Sequence, residues 1–131
     1  MEYNDKVRWL RRYLDAQRKE RVLAEEVERL RAEAERVTPL LTCEEPIISG
    51  EVYAAQKALA EQILQCLEVR HAVKQAIEAV SDMRWQEILY RRHILGQTLE
   101  YIAQEMNYDY RWVKRLYRQA VENFDIHSME A

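Results

Sequence analysis

Apolar residues recur at helical spacing through the first part of this sequence. Intervals of 4, 3 and 4 residues separate Tyr3, Val7, Leu10 and Leu14, and the same spacing returns at Leu23, Val27, Leu30, Ala34 and Val37. Because one face of an α-helix recurs about every 3.6 residues, this pattern predicts one helix over residues 3–37. Its apolar stripe is too narrow to hold so long a helix alone, so a partner helix is expected.

A second long helix is predicted over residues 51–80, after a linker at 38–50 that contains both prolines of the chain. Its stripe comprises Leu59, Ile63, Cys66, Val69, Val73, Ile77 and Val80. The simplest arrangement is an antiparallel, coiled-coil-like hairpin within one subunit. Pairing of the two stripes between subunits is the alternative, and the spacing alone does not decide between them.

Three shorter helices are predicted at about 82–95, 99–106 and 110–124. Ser81-Asp82, Thr98 and Asp109 are suited to begin them, and Gly96 is suited to end the first of the three. The predicted fold is therefore all-α, with a long helical hairpin followed by a three-helix helix-turn-helix domain. The predicted domains are residues 1–80 and 81–126, with a flexible tail at 127–131.

The helix-turn-helix prediction depends on residues 99–118, LEYIAQEMNYDYRWVKRLYR. The small Ala103 allows a second helix to cross closely, and Asn107 tolerates the left-handed backbone of a tight turn. The remaining apolar positions of the two facing surfaces are Ile102, Met106, Val113 and Leu116.

The second helix of this motif is predicted to expose a cationic, hydrogen-bonding face formed by Tyr110, Arg111, Lys114, Arg115 and Arg118. Such a face is typical of a helix that enters the DNA major groove. Arg111 and Arg115 are candidates to bind guanine, and Lys114 and Arg118 equally suit phosphate. The backbone N–H groups that begin at Thr98 suit a further phosphate. The alternative is a helical corner that never contacts DNA, because any two crossing helices need small and apolar residues.

The last three helices resemble region 4 of the sigma-70 factors. The resemblance is carried by IEAVSDMRWQEILYRRHILGQTLEYIAQEMNYDYRWVKRLYRQAV. Together with the front segment YLDAQRKERVLAEEVERLRAEAERVTP, the chain is similar to small phage-encoded proteins related to the ArpU and RinA late-gene regulators. This resemblance implies a promoter-reading helix at 110–124. Nothing in the chain resembles the sigma segment that opens the −10 element, so a complete sigma factor is not implied.

The net charge of −3 argues mildly against a nucleic-acid partner, but the distribution of the charges along the chain weakens that argument. Residues 109–118 carry four basic residues against Asp109, a local charge of +3, and residues 6–21 carry seven against two acids, a local charge of +5. DNA responds mainly to charges within about one Debye length, ~10 Å in moderate salt.

Composition excludes several other classes of function. Two Gly and two Pro are too few for a β-rich chain, and no apolar run approaches the ~20 residues of a membrane span. The first residues do not form a signal peptide, so a cytoplasmic protein is expected. Cys43 and Cys66 lie outside any CxxC pair, and no catalytic motif is present, so no metal, cofactor or enzymatic activity is predicted.

The sequence therefore predicts a DNA-binding transcription regulator of phage or prophage origin. Its predicted partners are double-stranded DNA and a second copy of the chain as a homodimer, with RNA polymerase as a further candidate and no membrane. The alternative is a helical interaction protein that docks RNA polymerase or a phage packaging component; a small terminase subunit would combine this role with DNA binding.

Overall fold

The computed structural model describes residues 2–37 and 50–125, and all regular structure within those ranges is α-helical, which confirms the predicted fold class. The helices are α1 (Tyr3–Leu10), α2 (Arg12–Val37), α3 (Gly50–Glu78), α4 (Met83–His93), α5 (Leu99–Met106) and α6 (Tyr110–Glu122). None of these helices is both long enough and apolar enough to cross a membrane. The predicted linker, apart from Gly50, and the predicted tail lie outside the described residues.

The prediction of one uninterrupted helix over residues 3–37 is wrong at a single position. Arg11 separates α1 from α2, although it keeps right-handed helical torsion angles (φ −73°, ψ −10°). The Arg11 N–H still donates to the Val7 carbonyl, and the Asp15 N–H donates to the Arg11 carbonyl, both at 3.0 Å. The interruption is therefore a local irregularity in an otherwise continuous helical path.

The chain divides into two compact units, and the division falls inside α2 and α3. Unit 1 comprises residues 2–15 and 68–125 of the described chain, and unit 2 comprises residues 16–67, of which 38–49 are not described. The sequence placed the division after residue 80 instead. The difference arises because the apolar residues of α1 pack with the C-terminal helices in unit 1.

The larger core cluster of unit 1 joins residues from both ends of the chain. Leu10 is fully buried in it together with Leu89 and Phe124. The Trp9 and Phe124 rings lie 5.6 Å apart, and the Lys6 ammonium donates to the Glu122 carbonyl at 2.8 Å. The other buried members are Val73, Ala76, Ile77, Ile94, Ala120 and Val121.

Unit 2 consists of the described parts of α2 and α3. The side-chain amide of Gln62 donates to the Ala16 carbonyl at 3.1 Å, so the first residues of this unit meet its last helical turns, as in an antiparallel hairpin. Val27 and Val52 are buried, and so is Cys66, a member of the apolar stripe predicted for the second long helix. Burial raises the pKa of the Cys66 thiol above its ordinary value.

Helices α4, α5 and α6 pack around a second cluster in unit 1, formed by Ile88, Ile102, Ala103, Val113 and Leu116. Asn107 ends α5 in the left-handed conformation (φ 57°, ψ 40°), as predicted. The Tyr108 N–H donates to the Ala103 carbonyl at 2.9 Å, a backbone bond typical of a helix that ends in this way. Gly96 also has a positive φ of 71°, in the loop that follows α4.

Candidate nucleic-acid interface

Helix α6 has one buried face and one exposed face. Val113, Leu116, Ala120 and Val121 are completely buried. All five residues that the sequence predicted on the opposite side are exposed, namely Tyr110, Arg111, Lys114, Arg115 and Arg118. The core thus holds the helix by one side and presents the other side to solvent.

The beginning of α6 is determined by local hydrogen bonding. Asp109 lies in an extended conformation before the helix, and its carboxylate accepts a hydrogen bond from the Arg111 N–H at 3.3 Å. Such a cap satisfies one of the free N–H groups of the first turn and is typically worth about 1 kcal/mol. The left-handed Asn107 lies two residues before Asp109, so the end of α5 and the start of α6 are both fixed within three residues.

Arg111 and Arg115 lie one turn apart on the exposed face. Within residues 2–37 and 50–125, no carboxylate lies within ion-pairing distance of either guanidinium. Their donors are therefore directed to solvent, which suits them to bidentate bonds with an external acceptor.

Lys114 and Tyr110 interact with each other on the same face. The Lys114 ammonium lies 4.8 Å from the centre of the Tyr110 ring, a cation–π contact at an exposed site. The contact keeps the positive charge of Lys114 near the first turn of α6. Tyr110 itself remains 37 % exposed.

Arg118 has a different environment from the other cations of α6. Its Nε donates to the Glu122 carboxylate at 3.0 Å, and its guanidinium lies 5.8 Å from the centre of the Tyr3 ring on α1. The Arg118 side chain is 75 % exposed, and pairs of this kind contribute only about 0.2–1 kcal/mol. A phosphate can therefore replace Glu122 as its partner at small cost.

Thr98 is the N-cap of α5, as predicted. Its hydroxyl oxygen accepts a hydrogen bond from the Tyr101 N–H at 3.2 Å, and the residue is exposed. The neighbouring N–H groups at the start of α5 carry the positive end of the helix dipole, which favours an anion. Glu100 in the same turn already supplies one negative charge.

Arg91 and Arg92 both bind the loop that follows α4. The Arg91 Nε donates to Glu87 at 2.8 Å, and the same guanidinium donates to the Gln97 side chain at 3.4 Å. Arg92 donates to the Gln97 carbonyl at 3.0 Å. These bonds support the segment that leads to Thr98.

Two features of the site were missed from the sequence. Helix α1 packs beside the end of α6, because Tyr3, Val7 and Leu10 are covered by unit 1. His93 is 1 % exposed and forms a 2.9 Å hydrogen bond with the Tyr117 hydroxyl of α6. Its position four residues after Leu89 on the buried stripe of α4 was the available signal.

No group of three or more His, Cys, Asp or Glu side chains in the described ranges is placed to hold a metal ion. No protein-family model, no curated protein and no solved structure matches this chain.

Proposed function

We propose that this protein binds double-stranded DNA in a sequence-specific manner, with α6 as the reading helix, and thereby regulates transcription. One observation carries the proposal. Arg111 and Arg115 lie on the exposed face of a capped helix whose other face is fully buried, and neither guanidinium has a carboxylate partner among the described residues.

The proposed roles follow from the chemistry of each side chain. Arg111 and Arg115 each can donate two hydrogen bonds to guanine O6 and N7, and such a pair contributes about 1–3 kcal/mol of discrimination between bases. Tyr110 and Lys114 complete the base-reading face, while Arg118 and the start of α5 at Thr98 contact phosphate. No step of this function requires a cofactor or an enzymatic activity.

The biological setting rests on the resemblance to sigma-70 region 4 and to the ArpU- and RinA-related phage regulators. We propose that the protein acts in the cytoplasm of a bacterial host, where a phage or prophage promoter is the DNA target. RNA polymerase is a further proposed partner, since proteins of the resembled class act at promoters.

The test begins with selection of a preferred site from a randomised duplex library, followed by affinity measurements on that site and on random-sequence DNA. Arg115→Ala is expected to lose about 1–3 kcal/mol on the preferred site and much less on random DNA, because a base contact is specific. Arg118→Ala is expected to weaken binding to the preferred site and to random DNA by similar amounts and to lower the salt slope by about 1, because a phosphate contact does not depend on sequence.

A matched control is Arg31→Ala, which removes one exposed arginine from α2 and lowers the net charge equally. Circular dichroism establishes that each variant is folded. If the double variant Arg111→Ala, Arg115→Ala retains the parent's affinity and preference for the selected site, α6 is not the reading helix.

We also propose that a second copy of the chain covers an exposed apolar stripe on the part of α3 that lies in unit 2. Tyr53, Leu64 and Leu67 are 64 %, 62 % and 59 % exposed, and Ile63 is 40 % exposed beside them. Intervals of 7, 4 and 3 residues link Tyr53, Ala60, Leu64 and Leu67, which is the spacing of a helix-pairing seam. A two-fold axis would place the same stripe on both partners.

The same stripe favours one alternative function, a helical interaction protein that docks RNA polymerase or a phage packaging component. In that case the stripe binds the foreign helix and α6 serves as a docking surface. The two functions differ in the outcome of the DNA selection, because a docking protein yields no enriched duplex sequence.

A further inference from the structure

A groove of about 640 Å³ opens on unit 1 between α1 and the helices that follow α3. Residues from several helices line it, and three of them are arginines, namely Arg8 of α1, Arg11 at the junction of α1 and α2, and Arg92 of α4. Asp15 is the carboxylate in the lining. The aromatic and apolar part of the lining comprises Tyr3, Val7, Leu99 and Tyr117.

The positive charge of this groove is only partly neutralised by protein groups. The Arg8 guanidinium is 3.6 Å from the Asp5 carboxylate, and its side chain is 80 % exposed, so that ion pair is weak. Arg92 donates to a neutral carbonyl, that of Gln97, and therefore keeps its full charge. For Arg11, no carboxylate of the described residues, Asp15 included, is within ion-pairing distance.

The groove is continuous with the exposed face of α6. Tyr3 lines the groove, and the guanidinium of Arg118 lies 5.8 Å from the centre of the Tyr3 ring. Leu99 also lines the groove and is the first residue of α5, where free N–H groups favour an anion. A line of cationic groups thus leads from the reading face of α6 through Arg118 to Arg11 and Arg8.

We propose that this groove holds the sugar-phosphate backbone of the DNA that flanks the site read by α6. The proposal rests on the proposed function, and it assigns a role to Arg8 and Arg11, two of the seven basic residues between positions 6 and 21. An acidic peptide would be attracted by the same charges. The continuity with Arg118 and with the start of α5 favours the phosphate backbone, because both are already proposed to contact phosphate.

The test compares the parent protein with the double variant Arg8→Gln, Arg11→Gln on a random-sequence 40-bp duplex and on the selected site. Loss of a phosphate contact lowers the slope of log affinity against log salt concentration by about 1, so the double variant is expected to lower it by about 1 to 2. Its preference for the selected site over random DNA is expected to equal the parent's.

Two controls separate direct contact from general charge and from misfolding. Arg12 is a neighbouring exposed arginine that does not line the groove; its guanidinium stacks on Trp9, 5.2 Å from the ring centre. The salt slope of Arg12→Gln is therefore expected to match the parent's. Arg8→Lys, Arg11→Lys keeps both charges and is expected to restore the slope. Thermal melts followed by circular dichroism establish that all variants are folded.

Duplex length provides a second measurement. Trimming the selected duplex on the groove side is expected to lower the parent's affinity several-fold, to that of the Arg8→Gln, Arg11→Gln variant. An unchanged salt slope in that variant would overturn the groove proposal while leaving α6 as the reader. If the selection yields no preferred sequence but the Arg8→Gln, Arg11→Gln variant still has a lowered salt slope on random DNA, the reading role of α6 is overturned and the groove proposal is supported. If polyglutamate competes as strongly as DNA does, the groove binds an acidic peptide and the groove proposal is overturned.

Discussion

His93 is a buried histidine whose ring is only partly satisfied by hydrogen bonds. Its Nε2 is bonded to the Tyr117 hydroxyl, but its Nδ1 is buried and has no partner within the described residues. Burial, together with the smaller effect of the nearby charges of Arg92 and Arg11, lowers the pKa of His93 to about 3. The ring is therefore neutral in the folded protein at pH 7.

This residue predicts a dependence of stability on pH. The pKa of His93 is about 3 in the folded protein, against an ordinary value of 6.5, so between those values the unfolded chain takes up a proton that the folded chain does not. The free energy of unfolding therefore falls as the pH is lowered through this window, by at most about 1.4 kcal/mol per pH unit. Chemical denaturation at several pH values between 7 and 4.5 measures the slope.

His93→Gln should flatten this slope, whatever its effect on stability at pH 7. The matched control is His71→Gln, since His71 is an exposed histidine of α3, and it should retain the parent's slope. Equal slopes in the parent and in His93→Gln would show that His93 is not the source.

The residues whose roles could be predicted are those whose hydrogen bonds and backbone conformation involve only their immediate neighbours in sequence. Asp82, Thr98 and Asp109 each accept a hydrogen bond from an N–H two or three residues later, and Asn107 adopts the left-handed conformation expected of it. The bond between His93 and Tyr117 spans 24 residues. No local rule reveals such a bond, because it depends on how α4 and α6 cross.

At the scale of the element, α1 is the helix whose neighbours were only partly predicted. The predicted partner α3 contributes Val73, Ala76 and Ile77 to the core around Leu10, but the C-terminal helices also contribute to it. The spacing of Tyr3, Val7 and Leu10 in α1 correctly indicated an apolar face, but a face at helical spacing does not specify what covers it. In the structure Leu10 is completely buried in the unit 1 core, and Lys6 bonds to the last turn of α6. Periodicity therefore predicted the helix, whereas tertiary packing determined its place.

Leu10→Ala is accordingly predicted to destabilise the domain that contains α6. Removal of a buried leucine side chain leaves a cavity and typically costs about 2–5 kcal/mol. Leu95→Ala is the matched control, because Leu95 belongs to the same unit and is 50 % exposed, so a change within about 0.5 kcal/mol is expected. Denaturant unfolding measures both, and equal effects of the two substitutions would contradict the packing of α1 described above.

At the scale of the whole molecule, the exposed stripe on α3 predicts self-association. Leu64→Glu, Leu67→Glu places two charges in that stripe and should convert a dimer into a monomer, because unpaired charge is costly to bury. Met83→Glu is the control, since Met83 is 81 % exposed and lies in unit 1. Light scattering over a range of concentrations measures the mass. A parent protein that stays monomeric at the highest concentration would remove the proposed dimer.

Unit 1 is built from two segments of the chain that residues 16–67 separate. On a ribosome that adds about 5–20 residues per second, Leu10 is therefore made roughly 6 to 23 seconds before Phe124, the residue of the same core that is made last. During that interval Trp9 and Leu10 have no core to enter, and the nascent chain must keep them from aggregating. Unit 1 can complete its core only when α6 and Phe124, which are made after its other elements, pack against α1.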